Sequence, residues 1–154
     1  MRSIENLLAE YDESHGHPVN KLLHWICVPL IMFSLLGLFW YLRVPLPEPA
    51  PRVLNGAVIL IAFALIYYML LAPRLAAGML LVSGVMLAVL FVVDRSDLSL
   101  AGLSIGIFIL AWIGQFIGHH VEGRKPSFLK DVQFLLIGPL WLLAFVYRRL
   151  RIAY

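Results

Sequence analysis

Four stretches of this chain, 24–42, 53–72, 75–93 and 99–118, contain no Asp, Glu, Lys or Arg, and each is close to twenty residues long. A helix needs about 20 mostly apolar residues to cross a bilayer whose hydrocarbon is about 30 Å thick. The four runs therefore predict four membrane-spanning helices in an all-α integral membrane bundle. The 154 residues are 62% hydrophobic and only 14% charged. A soluble domain of that size would be unable to hide so much apolar surface, so the lipid bilayer must cover part of it. We read residues 1–154 as a single membrane domain.

Two further segments complete the expected architecture. In residues 3–13, Ile4, Leu7, Leu8 and Tyr11 recur at i, i+3, i+4 and i+7, one stripe of a short amphipathic helix with Ser3 as its N-cap. Such a helix lies on the membrane surface or on the bundle. A fifth apolar run, 132–147, is shorter and carries Gly138-Pro139 at its middle. Proline removes a backbone donor and kinks a helix, so this run is expected to be kinked, re-entrant or interfacial. The bundle thus has four to five apolar helices. Pro45, Pro47, Pro49 and Pro51 separate the first two spans, and Asp94-Arg95-Ser96-Asp97 the last two. Pro73-Arg74 joins the second and third so tightly that they form an antiparallel hairpin. Gly102, Gly106, Gly114 and Gly118 make a small-residue stripe on the fourth span, a feature that lets helices approach closely in lipid.

Basic residues set orientation. With a cytoplasmic N-terminus and four spans, Arg2, Lys21, Arg74, Arg124, Lys125 and Lys130 are cytoplasmic, against Arg43, Arg52 and Arg95 on the far side. If the fifth run does not cross, Arg148, Arg149 and Arg151 join the cytoplasmic set. Both termini are then expected in the cytoplasm. The polar N-terminal twenty residues do not resemble a cleavable signal, and the setting expected is a bacterial inner membrane, since the chain is short and no retrieval signal is evident.

All five histidines fall in two patches, His15, His17 and His24, then His119 and His120. His24 opens the first span and His119 follows the fourth, so an even number of crossings places both patches on one face of the membrane. First and fourth helices of a bundle are commonly neighbours, which would let the patches converge. Asn20 and His24 share a helical face at i, i+4. His119 and Glu122 do so at i, i+3, if the helix continues that far. A carboxylate there either ligates a metal or orients an imidazole. Imidazoles with open positions suit iron, zinc or copper, and spacing does not choose among them. Cys27 is the single cysteine and lies inside an apolar run, so neither a disulfide nor a thiolate site is expected. No HExxH string, phosphate-binding glycine loop or basic patch with interleaved aromatics is present, which removes the common zinc protease, nucleotide and nucleic-acid readings.

Two blocks, YDESHGHPVNKLLHWICVP (Tyr11 to Pro29) and WIGQFIGHHVEGRKP (Trp112 to Pro126), carry a resemblance to a known family. The chain resembles the small membrane family of yeast-type 2-hydroxy fatty acid dioxygenases. The family pattern of His, two residues, Pro, one residue, Asn, three residues, His and a downstream Pro matches His15, Pro18, Asn20, His24 and Pro29. A second pattern matches Gln115, Phe116, Gly118, His119, Glu122 and Pro126. Two departures stand out. His17 occupies a position that is often Asn, and one residue before Glu122 is missing, which turns Glu122 by about 100° relative to His119. The resemblance implies Fe(2+) held by His15, His24 and His119; His120, which has no fixed counterpart in the pattern, is expected as the fourth ligand from its place beside them. Asn20 and Glu122 would support the ligands, while Arg124, Lys125 and His17 would meet the substrate. It further implies that a 2-hydroxy fatty acid loses one carbon with consumption of O2, in fatty acid α-oxidation. Two other readings of the same residues remain open at this point: a non-catalytic membrane lipid-binding protein, and a zinc-dependent lipid hydrolase.

Overall fold

A computed structural model of the protein describes residues 3–42, 54–126 and 133–154. Among these the chain is all-helical: α1 (Ile4–Asp12), α2 (Pro18–Phe39), α3 (Gly56–Leu71), α4 (Pro73–Asp94), α5 (Leu100–Glu122) and α6 (Gln133–Arg149). The proline segment 45–51, residue 53 at the head of the second apolar run, and residue 132 lie outside the described residues.

Helices α2, α4 and α5 have 22, 22 and 23 residues and are long and apolar enough to cross a membrane. The second expected span is shorter than the run that predicts it. Helix α3 has 16 residues, about 24 Å at about 1.5 Å per residue. Its start is set by Asn55, whose side chain accepts from the Val58 N–H at 3.1 Å. Its end is set by Pro73, because the residue before a proline is pushed out of the helical region. Ala72 accordingly sits at φ −158°, ψ 88°. Pro73 then serves as the first residue of α4. The hairpin is antiparallel: Leu60 and Ile61 share a cluster with Met86 and Leu87, while Tyr68 packs near Met79. Large apolar side chains such as Phe63, Leu70, Leu81 and Leu110 point outward at 69–71% exposure, a surface suited to lipid.

Helices α2 and α5 form the most extensive pairing, antiparallel and close. The expected glycine stripe serves this seam only in part. A Cβ on Gly118 would collide with the Asn20 side chain, and one on Gly114 would lie 2.6 Å from Cys27 Sγ. Gly106 has nothing within 4 Å of such a Cβ, and Gly102 meets only Ser99 beside it. The buried face of α5 instead runs Leu100, Ser104, Ala111, Gln115, Gly118 and His119. At the far end of the seam Gly37 faces Ser104.

Helix α1 is capped by Ser3, whose hydroxyl accepts from the Asn6 N–H at 3.3 Å. Its stripe, Ile4, Leu7, Leu8 and Tyr11, is buried against the bundle, chiefly on α6. Of the two beds that the sequence allows, it takes the protein. Helix α6 continues through Pro139 and is buried at every position from Ile137 to Leu142. Burial all round marks a helix enclosed by its neighbours. The Tyr68 hydroxyl donates to the Leu136 carbonyl at 2.9 Å, in the turn that Pro139 disturbs.

Candidate metal centre

Three elements bring three imidazoles to one point. His24 lies early in α2, His119 in the last turn of α5, and His15 in the connection between α1 and α2. Their exposures are 1%, 5% and 0%. One ring nitrogen from each lies within 4.8 Å of the other two. The His15–His24, His15–His119 and His24–His119 rings have centroids 4.2, 5.0 and 5.0 Å apart and meet edge-on.

The hydrogen bonds assign the protons. His15 Nδ1 is bonded to the Tyr11 carbonyl, and His24 Nδ1 to the Asn20 carbonyl at 2.9 Å. A carbonyl only accepts, so each Nδ1 carries the proton and each Nε2 presents a lone pair. Those two Nε2 atoms are 2.9 Å apart. Two lone pairs so placed repel unless a cation or a shared proton lies between them. Two nitrogens bound to one ion at about 2.1 Å, at right angles, sit about 3 Å apart. Nδ1 of His119 is buried with no hydrogen-bond partner. Burial pulls the His15 pKa down, against the opposing pull of the Tyr11 carbonyl, and so keeps its ring in the neutral form that metals require. The donor set fits a metal ion.

The cluster opens onto a cavity of about 540 Å³ between α2, α3, α4, α5 and α6. Along α2 its wall runs from His24 through Val28, Ile31 and Leu35 to Leu36, twelve residue steps or about 18 Å of helix. Along α5 it runs Phe108, Trp112, Gln115, His119, a single stripe at i, i+4, i+7 and i+11. Among the described residues, no lysine or arginine lines it.

Comparison with known proteins now bears on this arrangement. The profile of the Mpo1-like family, described as 2-hydroxy-palmitic acid dioxygenase Mpo1-like, matches residues 1–150. The chain belongs to the Mpo1-like family. It is 33% identical over 143 residues to the 2-hydroxy-palmitic acid dioxygenase MPO1 of Saccharomyces cerevisiae, covering 91% of this chain and 77% of the yeast protein. No solved structure matches it.

In this Mpo1-like chain the other expected site residues separate into those that build the cluster and those that stand outside it. Glu122 is a clasp. Its carboxylate accepts from the Gly16 N–H at 3.0 Å, the His17 N–H at 2.8 Å and the Asn20 side-chain amide at 3.1 Å. The Asn20 amide also donates to the Ser14 carbonyl at 3.1 Å. Together they pin the loop that carries His15 to the end of α5. Asn20 holds the His24 ring through its backbone carbonyl, not through the side chain that the helical spacing suggests.

His120, expected as the fourth ligand, is exposed and outside the group. On a helix it points about 100° away from His119, and His119 is the residue that faces the seam. His17 is also exposed and caps α2, its Nδ1 accepting from the Val19 N–H at 3.2 Å. Arg124 and Lys125 are exposed and do not line the cavity.

Two contributors escape the sequence. Tyr11 stacks on His15 at 4.1 Å and 11°. Trp141 lies 5.5 Å from both rings and its indole N–H donates to Asp12 Oδ1 at 3.2 Å. Tyr11 is visible in the sequence only as the last apolar position of an amphipathic stripe, and Trp141 as one more residue of an apolar run. The i, i+4 spacing of Tyr11 and His15 is the one local signal that pairs ring with ring.

Proposed function

We propose that this protein is an Fe(II)-dependent dioxygenase that shortens 2-hydroxy fatty acids by one carbon, with O2 as co-substrate. The observation that carries the reading is a buried three-histidine group at the head of a long apolar cavity. His15, His24 and His119 would hold the ion. Fe(II) bound there would supply the redox chemistry with O2 that no side chain of this chain provides. The protein's own part is placement. The cavity receives the acyl chain, and each buried methylene contributes about 0.8 kcal/mol. Carbon–carbon bonds of about 1.5 Å project to about 1.3 Å per methylene, so 18 Å of wall holds about 14 of them. Tyr11 and Trp141 pack against the His15 ring and would help exclude water from it. Glu122 and Asn20 fix the loop, and hence the ring of His15. Arg124 and Lys125, exposed around this end, would draw a fatty acid anion toward it by charge, and His17 and His120 stand beside them.

We further infer that residues 1–154 act as one membrane domain, with both termini and the histidine end facing the cytoplasm of a bacterial inner membrane. The excess of basic residues at that level supports the orientation. The decisive experiment uses the purified protein in detergent, loaded anaerobically with Fe(II) and then given O2 and 2-hydroxypalmitic acid. About one iron per chain, oxygen uptake and a fatty acid one carbon shorter are expected. Iron-loaded protein that consumes no oxygen overturns the reading. Turnover with zinc in the absence of oxygen would establish a hydrolase instead.

A further inference from the structure

Gln115 is 4% exposed, lines the cavity and lies one helical turn inward from His119 on the same stripe of α5. One turn is about 6 Å. Its side-chain nitrogen is buried with no hydrogen-bond partner among the described residues. An amide N–H in an apolar wall is unfavourable unless something bonds it.

Several of the other polar groups along this wall are engaged. The Nδ1 atoms of His15 and His24 are bound to carbonyls, and the Tyr68 hydroxyl donates to Leu136. Among the described lining residues there is no lysine or arginine, so a carboxylic acid head group meets the histidine centre and neutral donors there. Gln115 is such a donor, at the depth where the carbon next to the head group would lie. The terminal torsion of glutamine is broad, so a small rotation turns the nitrogen toward the lumen.

We propose that the Gln115 amide donates to the 2-hydroxyl oxygen of the substrate and thereby sets the preference for 2-hydroxy over unsubstituted fatty acids. The inference rests on the reading of the site as one for 2-hydroxy fatty acids. A site built around such a hydrogen bond rejects the analogue that lacks the hydroxyl, because its own buried donor then stays unpaired.

The test measures the affinities of 2-hydroxypalmitic and palmitic acid by calorimetry, on Fe(II)-loaded protein without oxygen. Wild type and Gln115→Met are compared, with iron content determined for both. The expected result is a ratio of the two affinities that falls by about 10-fold in Gln115→Met, with palmitic acid binding and iron content unchanged. An unchanged ratio overturns the proposal. So does an equal loss for both acids, which would place the amide on the carboxylate. A second measurement needs no variant. The iron-free wild type should still prefer the 2-hydroxy acid, and loss of all preference without iron overturns the proposal. Oxygen uptake is recorded separately, so that failed turnover with an intact affinity ratio removes the dioxygenase reading and not the role of Gln115. A wild type that binds neither acid removes both.

Discussion

The two ends of the α2–α5 seam use one packing device for different purposes. At each end a glycine on one helix admits a polar side chain from the other: Gly118 admits Asn20, and Gly37 admits Ser104. At the Asn20 end the admitted residue joins a network. Its amide reaches Glu122 and the Ser14 carbonyl, and its backbone holds His24. At the Ser104 end the hydroxyl has no partner and the neighbours are Leu36, Leu90 and Leu100. Close approach of helices therefore does not by itself make a site. What distinguishes the ends is a loop at one of them, whose backbone groups can be pinned by a carboxylate.

The sharpest way to break this contrast is to remove a ring. His24→Ala or His119→Ala should abolish metal binding and lower turnover by more than about 100-fold, beyond the usual 10–100-fold for a supporting group. Metal analysis of the purified variants decides it, and full occupancy in either would move the metal elsewhere.

Glycine substitutions compare the ends directly. Gly118→Ala forces Asn20 aside and should reduce both iron content and activity about 10-fold or more. Gly37→Ala should destabilise the fold by about 1–3 kcal/mol through overpacking while leaving iron bound. Gly106→Ala, with open space around it, is the control and should change neither. Thermal unfolding with parallel metal analysis separates the three.

Smaller effects sharpen the comparison. Leu36→Trp fills the apolar end of the cavity. It should shift preference toward acids several carbons shorter, with the head-group chemistry intact, as read from competition between chain lengths.

Acid should act on the histidine end alone. His15 is held neutral, its folded pKa below the ordinary value of 6.5. A base whose folded pKa is depressed contributes its full stability above that unfolded value and loses it as pH falls below, because the unfolded chain then binds the extra proton. Stability should therefore be flat above about pH 6.5 and decline below it, and the decline should be shallower, not absent, in a His15→Gln variant.

Much of this was readable before the fold was known, for reasons that can be named. Helix α5 announces itself through an uncharged run, and Gly123 at φ 69° ends it in a left-handed cap that carries His119 and Glu122 into the helix. The meeting of His15, His24 and His119 follows from two apolar helices lying antiparallel. His120 shows the limit. Adjacent histidines look equivalent in sequence, and only the helical phase against α2 sends one inward and the other out. The length of α3 was equally hidden, because hydropathy does not register the Asn55 cap that delays its start. Trp141 and Tyr11 were absorbed into apolar patterns, since a pattern records that a ring is buried and not what it is buried against.

The docking of α1 on α6 has a consequence for how the protein is made. Trp141 binds Asp12, and the apolar face of α1 packs against Ile137, Leu140 and their neighbours. The loop bearing His15 thus gains its footing from a helix made after α5. His24 and His119 can pair as soon as α2 and α5 are inserted, but the third ring waits for α6. Loading of the centre is in this way coupled to the synthesis of α6, and a product made without α6 lacks the bed on which α1 must lie.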